Sequence, residues 1–221
     1  MPISNKIKTI SILILSLLIL SHCKKKEEKF IISGTLKNPY TNTAISGAKV
    51  KLSGQKIESG ILNANYNLIQ SASTDGSGNF SFTFDVAYYS GFQLEFSKEN
   101  FVNSITEINP DEVQKDVEYK KTYNFYSQAF LRLNITNIFP TAPNDHISYR
   151  IINDASGNEG CCSGDYVSIE GPDVNESILC KTYGGHTITI DWIVTEGTEF
   201  VNHTHQLTIP SFDTVMYSIV Y

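Results

Sequence analysis

The chain has 221 residues with 17 Lys and Arg against 23 Asp and Glu, for a formal charge of −6; an acidic surface repels nucleic acid and anionic lipid, so neither is an expected partner. Twelve Tyr and twelve Phe against two Met and one Trp make a strand-and-turn composition, because aromatic and β-branched side chains suit a pleated, half-buried surface. No long apolar i, i+3, i+4, i+7 pattern follows residue 23, so the expected class is all-β.

The first element is a leader. Lys6 and Lys8 give a basic start, Ile10 to Leu20 is an apolar run broken only by Ser11 and Ser16, and Leu20-Ser21-His22-Cys23 ends it. An apolar run of about 11 residues after a basic start reads as a secretory signal, and it falls short of the roughly 20 residues that span a bilayer. Leu20-Ser21-His22-Cys23 resembles the lipobox of bacterial lipoproteins, with His22 standing where a small residue is usual. The resemblance implies removal of residues 1–22 as a signal peptide, acylation (palmitate) of Cys23, and a membrane partner reached through that N-terminal lipid. The alternative is an ordinary signal peptide with an incidental cysteine. Residues 23–29 form a charged spacer of four Lys and two Glu. Within it, Lys26-Glu27-Glu28 resembles the export signal that carries some lipoproteins of Gram-negative bacteria to the outer face. It implies an outer-membrane, surface-exposed protein, with a periplasm-facing one as the alternative.

Strands are expected next at Phe30–Leu36, Ala48–Leu52, Asn79–Phe84 and Phe92–Phe96, each placing its apolar residues on one face by period two. The charged stretch Asp111–Lys121 then precedes an expected aromatic strand, Tyr123–Tyr126. Within this half occur, in order, Ser33-Gly34-Thr35-Leu36, Ile45-Ser46-Gly47-Ala48-Lys49-Val50 and Ser73-Thr74-Asp75-Gly76-Ser77-Gly78-Asn79-Phe80. The three resemble the carboxypeptidase regulatory-like domain, which has a glycine after its first strand, a Gly-Ala-x-Val second strand and a Thr-Asp-x-x-Gly-x-Phe hairpin. The resemblance covers residues 30–125 and implies a transthyretin-like β-sandwich with no peptidase residues. Residues 54–66 are longer than that pattern needs and form a candidate surface of their own.

Alternation restarts near Gln128. Strands are expected at Phe130–Ile135, Ile147–Ile151, near Val167, and at Ser177–Thr182, His186–Val194, Thr204–Ile209 and Thr214–Tyr221. Six or seven strands over some 95 residues predict a second sandwich, immunoglobulin-like, over 128–221 after a first over 30–127. The charge divides unevenly too: 30–127 carries eight Lys against ten acids, 128–221 three Lys and Arg against eleven.

Candidate chemistry is sparse. If Cys23 is acylated, Cys161, Cys162 and Cys180 remain in an oxidising compartment, and a bridge from Cys161 or Cys162 to Cys180 is expected. A vicinal Cys161–Cys162 bridge and a thiolate metal site are the alternatives. His203 and His205 point to one face of a strand and are metal candidates, with His186 or an acid as a third ligand; no metal and no cofactor is the expectation. Asp75-Gly76-Ser77-Gly78-Asn79 resembles the opening of a calcium loop, but its residue types also suit a hairpin turn. Tyr40, Tyr66, Tyr88 and Tyr89 are candidate platforms for sugar rings. The chain holds no nucleophile elbow, zinc-protease motif or phosphate-cradling glycine loop. The expected function is therefore that of a non-enzymatic, lipid-anchored surface protein with a binding or scaffold role toward a glycan or protein. A surface hydrolase using loop carboxylates, and a structural subunit of an outer-membrane assembly, are the alternatives.

Overall fold

The computed structural model describes residues 27–58, 60–139, 143–152, 164–196 and 198–221. Cys23, the leader before it, Cys161 and Cys162 lie outside the described residues. The first half supplies β1 (Lys29–Lys37), β2 (Lys49–Glu58), β3 (Ile61–Leu62), β4 (Asn67–Ser73), β5 (Asn79–Asp85), β6 (Tyr89–Ser97), β7 (Ser104–Ile108) and β8 (Glu118–Asn124). The second half supplies β9 (Gln128–Thr136), β10 (His146–Ile152), β11 (Val167–Glu170), β12 (Asn175–Tyr183), β13 (His186–Glu196), β14 (Glu199–Ile209) and β15 (Thr214–Val220). A short 3-10 turn, Pro110–Glu112, is capped by the side chain of Asn109.

Period two explains the packing. In β5 the three phenylalanines Phe80, Phe82 and Phe84 are buried while the residues between them are exposed. They meet Val50 and Leu52 of β2 and Phe92, Leu94 and Phe96 of β6 in a first core. Ala129, Leu131, Leu133 and Ile135 of β9 alternate in the same way and meet Ile147, Ile151, Ile188 and Ile190 in a second. Fully burying one such side chain is worth about 1.5–3 kcal/mol. The protein is thus all-β, with two β-sandwiches in tandem.

The two sandwiches share one wiring. In the first, β1 lies between β5 and β8, and is parallel to β8; β2 lies between β4 and β6, and β7 flanks β6. In the second, β9 lies between β12 and β15, and is parallel to β15; β10 lies between β11 and β13, and β14 flanks β13. Leaving aside the two-residue β3, each half has seven strands among the described residues, with the fourth, first and seventh in one sheet. The third, second, fifth and sixth make the other. The immunoglobulin-like sandwich expected for the second half is therefore a sandwich with the strand order of the first.

Gly34 sits in the middle of β1, opposite Phe80 and beside Lys121 in the parallel register. A Cβ there would stand 2.6 Å from the Tyr123 ring, 2.8 Å from the Lys121 carbonyl oxygen and 2.8 Å from Phe80. The absent side chain is what lets two aromatic rings cross the strand.

Four strands depart from the pattern. β3, β4 and β7 were not expected, because β3 has only two residues, β4 is a polar, mostly exposed edge and β7 has only five residues. The aromatic strand expected over Tyr123–Tyr126 runs instead over Glu118–Asn124. Charged residues on an edge strand are compatible with pairing on its other side, and they discourage further pairing.

Candidate functional site

The two cores are joined by a built seam. The first core ends at Phe125 and the second begins at Ala129; between them Ser127 is 0% exposed. Its Oγ lies 3.1 Å from Asn38 Nδ2, 3.2 Å from the Gly184 carbonyl oxygen and 2.8 Å from Ser211 Oγ. Ser127 accepts from Asn38, and its one hydroxyl proton is shared between the Gly184 carbonyl and Ser211 Oγ. The main chain is held equally well. Gln128 N–H donates to Asn100, Val102 N–H to Tyr126, Gly184 N–H to Ser127 and Phe212 N–H to Gln128. A Cβ on Gly184 would stand 2.5 Å from Ser211 Cα, so this close approach requires glycine.

Rings from both halves interleave over these bonds. Tyr126 stacks on Tyr183 at 4.1 Å and 9°, Tyr40 stacks on His186 at 4.7 Å and 13°, and Tyr40 lies 5.6 Å from Tyr126. On another side Phe101 meets Phe212 edge-on at 5.3 Å. Aromatic pairs contribute about 0.5–1.5 kcal/mol each beyond their area. None of Asn38, Ser127, Gly184 and Ser211 stands out in sequence; each is an ordinary turn residue until the fold brings them together.

The four candidate tyrosines divide between the seam and the first sandwich. Tyr40 belongs to the seam. Tyr66 packs over Gly91, and burial together with the Glu107 charge raises its hydroxyl above the usual phenol value. Tyr88 is 82% exposed. Tyr89 packs on Phe30, Phe84 and Phe92 and lines a cavity of about 720 Å³ with Ile61, Asn63, Leu68 and Ile69. This cavity sits under the candidate segment 54–66, where β2 bulges between Leu52 and Ser53 and again between Gln55 and Lys56. Bulges re-aim a strand.

The histidines do not converge. His203 stacks on Trp192 at 5.0 Å and His205 on Tyr217 at 4.5 Å. His186 lies opposite Ile209, four residues along β14 from His205, or about 13 Å. Among the described residues no three of His, Cys, Asp and Glu gather as a metal would need. Cys180 is buried on β12 opposite Leu131. Asp75 accepts from the N–H groups of Ser77 and Asn79, both at 2.8 Å; those bonds close the hairpin turn, and the Asn79 bond foremost holds the carboxyl below its usual range. The carboxylates Glu27, Glu28 and Glu112 pair with Lys29, Lys115 and Lys121.

One charge network lies on the outer face of the second sandwich. Asp191 of β13 accepts from the Thr204 hydroxyl and from Arg150 Nε and an Arg150 terminal nitrogen at 3.1 and 2.9 Å. Thr204 first and Arg150 next hold the Asp191 carboxyl below the ordinary aspartate range. Its folded value lies below its unfolded value of about 4. The contribution to stability is therefore present above pH ~4 and is lost as the pH falls through the folded value. Urea midpoints measured from about pH 6 to about pH 3 should fall less steeply in Asp191→Asn than in the parent chain. The pair is partly exposed, so the difference will be modest. Equal slopes would show that Asp191 is not linked to folding.

No protein-family model matches the chain, and no curated protein matches it in sequence. Among solved structures it is similar to the Bacillus anthracis TIE protein, with 11% identity over 87% of this chain and 34% of that one, at a TM-score of 0.37. It is also similar to GBS52, the minor pilin of Streptococcus agalactiae, with 13% identity over 86% and 94% of the two chains and a TM-score of 0.33. For the major pilin SpaD of Corynebacterium diphtheriae the values are 11%, 81%, 65% and 0.34. The chain spans about a third of the first of these proteins. At such scores the likenesses add nothing to the fold already described.

Proposed function

We propose that this chain is a non-enzymatic, lipid-anchored surface protein whose two sandwiches form one stiff arm, holding a partner-binding end away from the membrane. The seam carries this reading. A linker that lets domains swing is exposed and polar, whereas Ser127 is fully buried and bonded to both halves. The direction of the strands supplies the polarity of the arm. β1 starts at Lys29, near the proposed anchor, and ends at the seam, where Phe125 N–H meets the Lys37 carbonyl. β9 starts at the seam with Gln128 and ends at Thr136. At about 3.3 Å per residue, a nine-residue strand gives each sandwich roughly 30 Å of length. The β14 start and the segment after β9 then stand farthest from Lys29, and there Phe139 and Phe200 are exposed.

The first sandwich is proposed to be a carboxypeptidase regulatory-like domain. Support comes from what its motif residues do. Gly34 admits the crossing rings, and Thr74 Oγ1 donates to the Ile45 carbonyl while accepting from Ala48 N–H, which ties the Thr-Asp hairpin to the second strand. An outer-membrane, outward-facing location rests on the Lys26-Glu27-Glu28 resemblance alone.

The anchor is tested by metabolic labelling with an azido fatty acid. The parent chain should take up label and fractionate with membranes, while Cys23→Ser should lose both; equal labelling of the two would sink the anchored reading.

We also propose that Cys180 is bridged to Cys161 or Cys162, supported by its buried position on β12. Non-reducing peptide mapping should recover a peptide joining Cys180 to one of the two. Reduction should then lower the stability of the second sandwich, by about 3 kcal/mol for a loop of under twenty residues. Alkylation of all three thiols in unreduced, unfolded chain would contradict it.

A further inference from the structure

We propose that the free edge of β14 is a docking surface for β14 of a second copy, joining the two four-stranded sheets antiparallel across a two-fold axis at Thr204. Among the described residues β14 pairs only with β13 and is the longest of the sheet-edge strands, at eleven residues. Its counterpart in the shared wiring, β7, has five residues with Glu107 near its middle. β8, another edge of the first sandwich, carries Glu118, Lys120 and Lys121. Short length and charge are how edges are kept from pairing. β14 has neither guard: its one carboxylate, Glu199, is at its very end, and it contains no lysine, arginine or proline.

The backbone is set out for pairing. Gly185 N–H donates to the Ile209 carbonyl, so Ile209 turns its main chain toward β13. By alternation, the odd-numbered residues of β14 do the same, and Phe200, Asn202, Thr204, Gln206 and Thr208 present theirs at the free edge. Those five are symmetric about Thr204.

Centring the pair on Thr204 uses all five positions and is chemically consistent. Asn202 falls opposite Gln206 of the second copy, Phe200 opposite Thr208, and Val201 opposite Leu207. Glu199 falls opposite Ile209, so the strip brings no like charges face to face although the second half as a whole carries eleven acids against three Lys and Arg. Because the same patch serves both copies, the contact closes at two and does not propagate.

The test uses the mature chain, residues 23–221 with Cys23→Ser, in sedimentation equilibrium. The expected result is a mass twice that of one chain. Asn202→Lys combined with Gln206→Lys sets two pairs of lysines face to face and should weaken the dimer by about tenfold or more. Asn202→Lys combined with Gln206→Glu sets opposite charges face to face at the same positions and should restore it. Both pairs of positions are on the wet face, and equal melting temperatures will show that each variant is folded. A monomer at every concentration overturns the proposal, as does a dimer that both double variants leave equally tight. A dimer weakened equally by both would place the contact at this edge but in another register, and overturns the axis at Thr204.

Discussion

Gly34→Ala is expected to destabilise the first sandwich by about 1–3 kcal/mol, the usual range for overpacking a filled core. Local preference argues the other way. Glycine inside a strand costs roughly 0.5–1 kcal/mol relative to alanine through the freedom that it loses. Geometry decides between the two. The added carbon would meet the Tyr123 ring at 2.6 Å, the Lys121 carbonyl oxygen at 2.8 Å and the Phe80 ring at 2.8 Å. A ring can tilt, but Lys121 is locked in the β1–β8 ladder and its oxygen cannot retreat without breaking the pairing. Phe80 and Tyr123 are also packed on Phe96, so tilting them disturbs the centre of the core. Urea unfolding followed by far-ultraviolet circular dichroism should show a lower midpoint. Trp192, the only tryptophan, belongs to the second sandwich, and its fluorescence reports on that half separately. An unchanged or higher midpoint would show that β1 gives way more easily than its contacts imply.

Ser127→Ala should cost about 1–3 kcal/mol and loosen the two sandwiches from one another, because it leaves buried polar partners unsatisfied. Asn38 is itself buried and would lose its bond to Oγ, and the Gly184 carbonyl would lose its donor. Tyr126 and Tyr183, next in the chain to Ser127 and Gly184, stack on one another, so loss of the bonds loosens the stack as well. Small-angle scattering should show one elongated shape for the parent chain and a broader distribution of sizes for the variant. Tryptophan fluorescence and circular dichroism should report midpoints further apart in the variant than in the parent. Residues 30–127 and 128–221 are proposed to be separate folding units, each with its own core, and expressed apart each should unfold cooperatively. If neither half folds alone while the whole does, the seam is part of a single core and the arm is one unit.

The all-β class and most strands could be read directly from the chain, because period two is a local property. Phe80, Phe82 and Phe84 declare a buried face without knowledge of what covers it, and so do Leu131, Leu133 and Ile135. Edge strands were harder to read: Lys120 and Lys121 look like a solvated linker, yet they lie in β8, whose pairing is satisfied on one side only. The same limit applied to candidate sites. That His203 and His205 share a face follows from their spacing. That they face Trp192 and Tyr217, and no third ligand among the described residues, follows from a cross-strand register and sheet packing that spacing does not contain.

By itself the sequence determined the composition of each strand face, the turn at Asp75 to Asn79 and the restart of alternation after Ser127. Three-dimensional packing alone settles that both halves share one wiring, that Asn38, Ser127, Gly184 and Ser211 meet in a seam, and that among the described residues β14 has a partner on one side only. The physical reason is range. A strand's alternation is set by neighbours two residues apart, whereas the bonds from Ser127 Oγ to Asn38 and Ser211 join residues 89 and 84 positions apart. Which edge stays open depends on every other pairing in its sheet.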